Sequence, residues 1–112
     1  MRVVTELFVS ALVRRVFSTG AFAAIERKGA PEAGAIFIRQ RFRDGLETLY
    51  GPAPQSVFGE GDEDRRFEIR ADRSEASGVE AIIARETRFD PDLWLVELEL
   101  DDISGLITLA AD

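Results

Sequence analysis

Arg85-Glu86-Thr87-Arg88-Phe89-Asp90-Pro91-Asp92-Leu93-Trp94-Leu95-Val96-Glu97-Leu98-Glu99-Leu100 decides how this chain folds. A helical pattern with Val79, Ile82 and Ile83 on one face runs into it. Pro91 disfavours helix at Asp90, so the helix must end near Phe89. Beyond the turn, Trp94, Val96, Leu98 and Leu100 alternate with Leu93, Leu95, Glu97 and Glu99. That period of two predicts a strand over Leu93–Leu100.

Upstream, Ser77-Gly78-Val79-Glu80 has the spacing of a capping box, with Ser74 as an earlier possible start. Arg66–Asp72 sets Phe67, Ile69 and Ala71 against Arg66, Glu68 and Arg70, a further strand. Residues 55–64 hold Gly59-Glu60-Gly61-Asp62-Glu63-Asp64 and predict a flexible acidic loop. Ala35–Phe42 and Leu46–Tyr50 flank Asp44-Gly45, a hairpin signal. A loop of Arg43, Asp44 and Gly45 sets Phe42 against Leu46, Gln40 against Thr48 and Ile38 against Tyr50. On the other face it sets Arg41 against Glu47. A loop one residue shorter would put Phe42 opposite Glu47, so charge and apolar matching select the longer one.

Gly51-Pro52-Ala53-Pro54 ends this meander. Ala21–Lys28 reads as a strand and Gly29–Gly34 as a turn. Residues 5–19 carry Val9, Leu12, Val13, Val16 and Phe17 at helical spacing, with Thr5 placed to cap the start and Gly20 to end it. Residues 103–112 fit either a tail or a short strand around Leu106–Leu109. The order is α-β-β-β-β-α-β over a single α+β domain, 1–112. It predicts a mostly antiparallel sheet of about five strands with two helices packed on one face.

The chain has 112 residues and contains neither cysteine nor histidine, which removes disulfides, the usual zinc ligand sets and every triad built on His or Cys. The absence of cysteine fits a cytoplasmic protein. Leu7–Val13 is the longest uncharged stretch before Arg14-Arg15, too short for a signal peptide core or a membrane span. Net charge is −7, unevenly spread: residues 1–54 carry eight bases and five acids, and residues 55–112 six bases and sixteen acids. An acidic chain with no basic motif predicts no nucleic-acid partner. Thirteen of the fourteen bases are Arg, whose forked donors suit bidentate pairing with the many carboxylates.

Four pieces of this chain resemble a small bacterial family, the domain-of-unknown-function family 1491. They are Ser10-Ala11-x-x-Arg14-Arg15, Gly20-Ala21-Phe22-Ala23, Leu49-Tyr50-Gly51-Pro52-Ala53-Pro54 and Phe89-Asp90-Pro91-Asp92-x-Trp94-x-Val96-Glu97. The similarity runs along nearly the whole chain and is weakest in 55–64 and after Asp101. It implies a bacterial, alphaproteobacterial, cytosolic protein, and it implies no activity.

The densest mixture of Arg, carboxylate and aromatic lies at 85–94. Arg85, Arg88 and Trp94, with Arg14 and Arg15, are the candidate ligand-binding residues: forked donors and an aromatic face suit a small anion or a peptide carboxylate. The competing account is internal, with Arg85 and Arg88 pairing with Asp90, Asp92 or Glu97. Glu86, Asp90 and Asp92 are the candidate metal ligands, weighed against a proline-fixed stop-and-turn. Asp62-Glu63-Asp64 lacks the spacing of a calcium loop, and the glycines at 59 and 61 fit no phosphate loop. Trp94 reads as a core anchor and Tyr50 as a hydroxyl that ties down the turn after it.

Three classes of function stand open. The first is an interaction or accessory domain acting through a protein partner or by self-association. The second is a binder of a small anion through the Arg cluster. The third is a carboxylate-based enzyme, possible with metal, using Glu86, Asp90 and Asp92. The leading expectation is the first, with no cofactor and no membrane partner.

Overall fold

The computed structural model describes residues 4–54 and 65–110; the acidic loop expected at 55–64 lies outside the described residues. Helix α1 (Thr5–Ser18) buries Val9, Leu12 and Val16 completely, the face its spacing predicts. Val4, not Thr5, holds the capping position, and no side chain caps the helix. Thr5 Oγ1 instead donates to the Gly34 carbonyl at 3.1 Å, tying the helix to a distant turn. Gly20, at φ +90°, follows the helix end as expected of a left-handed glycine. Phe17, expected on the buried face, is half exposed and meets Phe22 edge to face.

Four strands follow: β1 (Phe22–Arg27), β2 (Ile36–Arg41), β3 (Glu47–Pro52) and β4 (Arg66–Ser74). Then come α2 (Ala76–Phe89), β5 (Trp94–Glu99) and the two-residue β6 (Thr108–Leu109), which resolves the C-terminal alternatives in favour of a short strand. Glu75 occupies the α2 capping position with no side-chain bond, so the Ser77 capping box does not form.

The β2–β3 hairpin has the expected register, with Ile38 opposite Tyr50, Gln40 opposite Thr48 and Arg41 opposite Glu47. The Phe42 N–H donates to the Leu46 carbonyl at 3.0 Å. Gly45 takes φ +91°, and the Asp44 carboxylate accepts the Leu46 N–H at 3.0 Å.

The strand order is β1-β5-β2-β3-β4-β6. The sheet is mixed rather than purely antiparallel, because β5 inserts between β1 and β2, antiparallel to the first and parallel to the second. The helices lie on opposite faces of the sheet, not on one. The reason is in β5 itself. Trp94, Val96 and Leu98 pack with α1, Ile36, Ile38 and Phe67, while Leu93 and Leu95 pack with Val79 and Ile83 of α2, Phe37 and Leu49. A central strand apolar on both faces needs cover on both. The segment after β5 completes the α1 face: Leu100, Ile103, Leu106 and Ile107 pack on that core.

The helix-to-strand turn is the stop that Pro91 predicts. The Asp90 N–H donates to the Glu86 carbonyl at 2.9 Å, and the Asp90 carboxylate accepts the Asp92 N–H at 3.1 Å. Among the described residues, no helix is long and apolar enough to cross a membrane.

Candidate functional site

The candidate residues chosen at 85–94 and 14–15 do not form one site. Arg14 and Arg15 stand on α1, and Arg85 and Arg88 on α2, with the sheet between the helices. Arg15 donates to the Leu106 carbonyl at 3.0 Å, pinning the C-terminal segment to α1. Arg14, Arg85 and Arg88 are exposed and make no hydrogen bond or ion pair among the described residues. The internal pairing expected for Arg85 and Arg88 is therefore not formed. Asp90 is occupied by its turn and Glu97 by Arg41. Trp94 is 1% exposed, and its indole N–H donates to the Ala30 carbonyl at 2.8 Å, a core anchor. Glu86, Asp90 and Asp92 do not converge: among the described residues, no cluster of three or more acids is arranged to hold a metal ion. Tyr50 does not bind its turn; its hydroxyl donates to Gln40 Oε1 at 2.7 Å, and Gln40 Nε2 donates to the Leu100 carbonyl at 3.1 Å. Burial, and then the charge of Asp72, pushes the Tyr50 hydroxyl above its ordinary pKa.

The charge chemistry sits on the α2 side of the sheet. Arg39 and Arg41, two apart on β2, point the same way. Arg39 is buried; its Nη1 donates to Glu26 at 2.9 Å, and its Nη2 donates to Glu80 of α2. Its Nε lies 3.1 Å from Glu47 Oε1, an ion pair whose N–H is not aimed at the oxygen. Arg41 Nε donates to the other Glu47 oxygen and Nη1 to Glu97, both at 2.9 Å. Burial lowers the pKa of Arg39, but the Glu80 hydrogen bond and the charges of Glu26, Glu47 and Glu80 outweigh it and raise the net value. Glu97 is pushed up, first by burial and then by the neighbouring Glu99 carboxyl, against the pull of Arg41.

This network runs to the edge of a cleft of about 580 Å³. Its walls are the carboxyl ends of the parallel pair β2 and β5, with Arg41, Phe42, Arg43, Glu99 and Asp101, and the turn from α1 into β1. The Arg43 N–H donates to Asp101 at 3.0 Å and holds the two strand ends together. The Arg43 guanidinium itself is 95% exposed and only 3.9 Å from Asp101 at its nearest approach. Arg73 lies over the Phe42 ring at 4.5 Å and pairs with Asp44, bordering an adjoining hollow.

Beside the cleft runs β1, at the sheet edge. It pairs with β5 on one side, and a bulge between Ile25 and Arg27 disturbs its far end. Phe17, Phe22 and Ile25 are each close to half exposed along it. The opposite edge is the two-residue β6.

Part of this was within reach of the sequence. Arg39 and Arg41 fall on one strand face, and the hairpin register delivers Glu47 to Arg41. Glu26, Glu80 and Glu97 come from three other elements, and their meeting depends on the insertion of β5 between β1 and β2, which local pattern does not encode. The cleft depends on the same insertion.

The comparisons with known proteins agree with one another. The family described as "protein of unknown function (DUF1491)" matches residues 3–108. The solution structure of a protein from A. tumefaciens is similar at a TM-score of 0.89, with 56% identity over 100% of this chain and 98% of that one. The crystal structure of a DUF1491 family protein from Caulobacter crescentus CB15 is similar at a TM-score of 0.80, with 29% identity over 99% of this chain and all of that one. An NMR structure of a family protein from the same organism also reaches 0.80, at 31% identity and 99% coverage of both chains. No curated protein matches the chain.

Proposed function

We propose an interaction role for this chain, which belongs to the DUF1491 family: it binds an extended segment of a partner protein along the edge strand β1. The observation that carries this reading is the composition of that edge. A proline-free strand of six residues closes the sheet, with Phe17, Phe22 and Ile25 exposed beside it. Edge strands are ordinarily blunted by bulges, proline or charge, because their outer N–H and C=O groups template further pairing. Here the bulge protects only the end near Arg27, leaving Phe22–Ile25 open.

Charge selects the partner. The chain carries −7, and Glu97 and Glu99 lie on β5 directly behind Ala24 and Phe22. An added strand that alternates apolar and basic residues would set its apolar residues on the face of Ile25 and its basic residues on the face that Phe22 shares with these carboxylates. The same charge disfavours nucleic acid as the partner. In this reading the protein works in the cytoplasm, in keeping with a chain that uses no cysteine.

A short peptide alternating valine and lysine tests this. Titrated into isotopically labelled protein, it should shift the amide signals of Phe22–Ile25 saturably and protect them from hydrogen exchange. The same peptide with glutamate for lysine should bind about tenfold more weakly. Phe22→Ser should abolish binding of the lysine peptide without changing the melting temperature. Lack of any shift along β1 would overturn the reading. So would a concentration-dependent dimer that Phe22→Ser abolishes, because the edge would then belong to a second copy.

A further inference from the structure

The cleft at the carboxyl ends of β2 and β5 is a separate feature, and its lining carries both signs of charge, of which the Arg43 guanidinium and the Glu99 carboxylate are the least engaged. We propose that it binds a small zwitterion of the amino-acid type, its ammonium against Glu99, its carboxylate against Arg43 and its apolar side chain on Phe42 and Leu100.

The carboxylate end rests on Arg43. This guanidinium is 95% exposed, and its single ion pair, at 3.9 Å, is too long for a hydrogen bond. Its backbone is nevertheless fixed, because its N–H is held by Asp101 at 3.0 Å on the cleft floor. A free fork on a fixed stem suits a bidentate carboxylate. Arg41 adds to it: Nε and Nη1 are engaged by Glu47 and Glu97, and Nη2 makes no hydrogen bond among the described residues.

The ammonium end rests on Glu99. It lines the cleft, is exposed, and makes no ion pair among the described residues. A bound ammonium pairs with this carboxylate as a charge-assisted hydrogen-bond donor.

Size and balance narrow the class. A volume of about 580 Å³ suits a small organic molecule. The charged lining is Arg41, Arg43, Glu99 and Asp101, which sums to no net charge, in a protein of −7. A simple anion therefore gains little from entering. A ligand with both charges satisfies both walls, and the Phe42 ring and Leu100 offer its side chain apolar cover.

Three probes separate these contributions: L-phenylalanine, its carboxamide, which keeps only the cation, and its N-acetyl form, which keeps only the anion. Titration calorimetry reads the affinity of each. L-phenylalanine should bind about tenfold more tightly than either blocked form, with amide shifts confined to residues 41–43 and 99–101. Arg43→Ala should reduce L-phenylalanine to the affinity of the carboxamide. Glu99→Gln should reduce it to that of the N-acetyl form. Both side chains are exposed, and unchanged amide spectra elsewhere confirm that each variant is folded. The proposal is overturned if the N-acetyl form binds as tightly as L-phenylalanine, or if millimolar L-phenylalanine leaves the cleft amides unmoved.

Discussion

Arg41 and Glu47 stand opposite each other across the β2–β3 hairpin, joined from Nε to Oε2 at 2.9 Å. The pair is the visible consequence of the loop Arg43–Gly45, since a loop one residue shorter would have moved Glu47 to the other face. Glu47 holds more than its hairpin partner. Its second oxygen lies 3.1 Å from Arg39, and the carboxylate is buried between the two guanidinium groups.

Glu47→Ala should therefore cost about 3–5 kcal/mol, the range for breaking a buried ion pair by removing one partner. Urea melts measure it. A double-mutant cycle with Arg39→Met should show a coupling energy of about 1 kcal/mol or more, because the residues share one network. Independent, additive effects would show that Glu47 serves Arg41 alone.

Trp94→Ala should also cost about 3–5 kcal/mol, since a large buried aromatic leaves a cavity beside Val96 and Phe67. Trp94→Phe separates packing from hydrogen bonding. It keeps much of the volume but leaves the Ala30 carbonyl without its 2.8 Å donor, and should cost about 1–3 kcal/mol.

Arg85→Ala should change stability by less than about 0.5 kcal/mol, as expected of an exposed side chain without partners among the described residues. The same holds for Arg88→Ala. Calorimetric melts in phosphate and in chloride at matched ionic strength should show no anion-specific gain in either protein. A saturable phosphate effect lost in Arg85→Ala would return this arginine to the candidate binding residues.

The sequence disclosed what is local. The period-two pattern of Trp94–Glu99, the stop at Pro91 and the hairpin around Asp44-Gly45 are set by neighbouring residues, and the structure has each of them. It hid what is not local. Thr5 looked like a helix cap because Thr suits that place, yet its hydroxyl reaches Gly34, twenty-nine residues away. The arginines at 85 and 88 stood near carboxylates in sequence, yet neither forms an ion pair among the described residues. The functional candidates at Arg41, Arg43 and Glu99 gather only because β5 enters between β1 and β2. One clue was legible: both faces of β5 begin apolar, which called for a helix on each side.

Gly29→Ala tests how closely the chain is stitched at that insertion. A Cβ at Gly29 would stand 2.0 Å from the Asp92 carbonyl oxygen and 2.6 Å from the Leu93 carbonyl carbon. Both are backbone atoms, so nothing flexible can yield. The neighbouring Ala30 N–H donates to the same Asp92 oxygen at 2.9 Å, and that bond must break or shift. The expected loss is about 1–3 kcal/mol, in the range of overpacked sites. Hydrogen exchange should report it first at Ala30 and Trp94, whose N–H groups bond across this junction. A variant as stable as the parent would show that the Gly29–Asp92 approach is not required by the fold.

Glu97→Gln should change how stability depends on pH. Burial, then the Glu99 carboxyl, raises the Glu97 pKa in the folded protein, and the attraction of Arg41 does not offset them. The unfolded value is the ordinary one, about 4.5. A folded value above the unfolded one means that the folded state binds the proton more tightly between the two. Stability contributed by this group is then highest below about pH 4.5 and falls as pH rises through the folded value. The exposed Asp44 and Asp102 act in the opposite sense and in a lower window. The Leu46 N–H and Arg73 lower the first, and Ser104 lowers the second. Their contributions are lost only as pH falls below about 3.8. Above pH 4.5 the contribution of Glu97 therefore stands apart from theirs. Glutamine keeps an oxygen to accept from Arg41 and cannot ionise, so the variant should gain on the parent as pH rises from 4.5 through the folded value, and the gap should then level off. Urea midpoints across that range measure the difference. A gap that stays constant with pH would show that Glu97 titrates alike in the folded and unfolded chain.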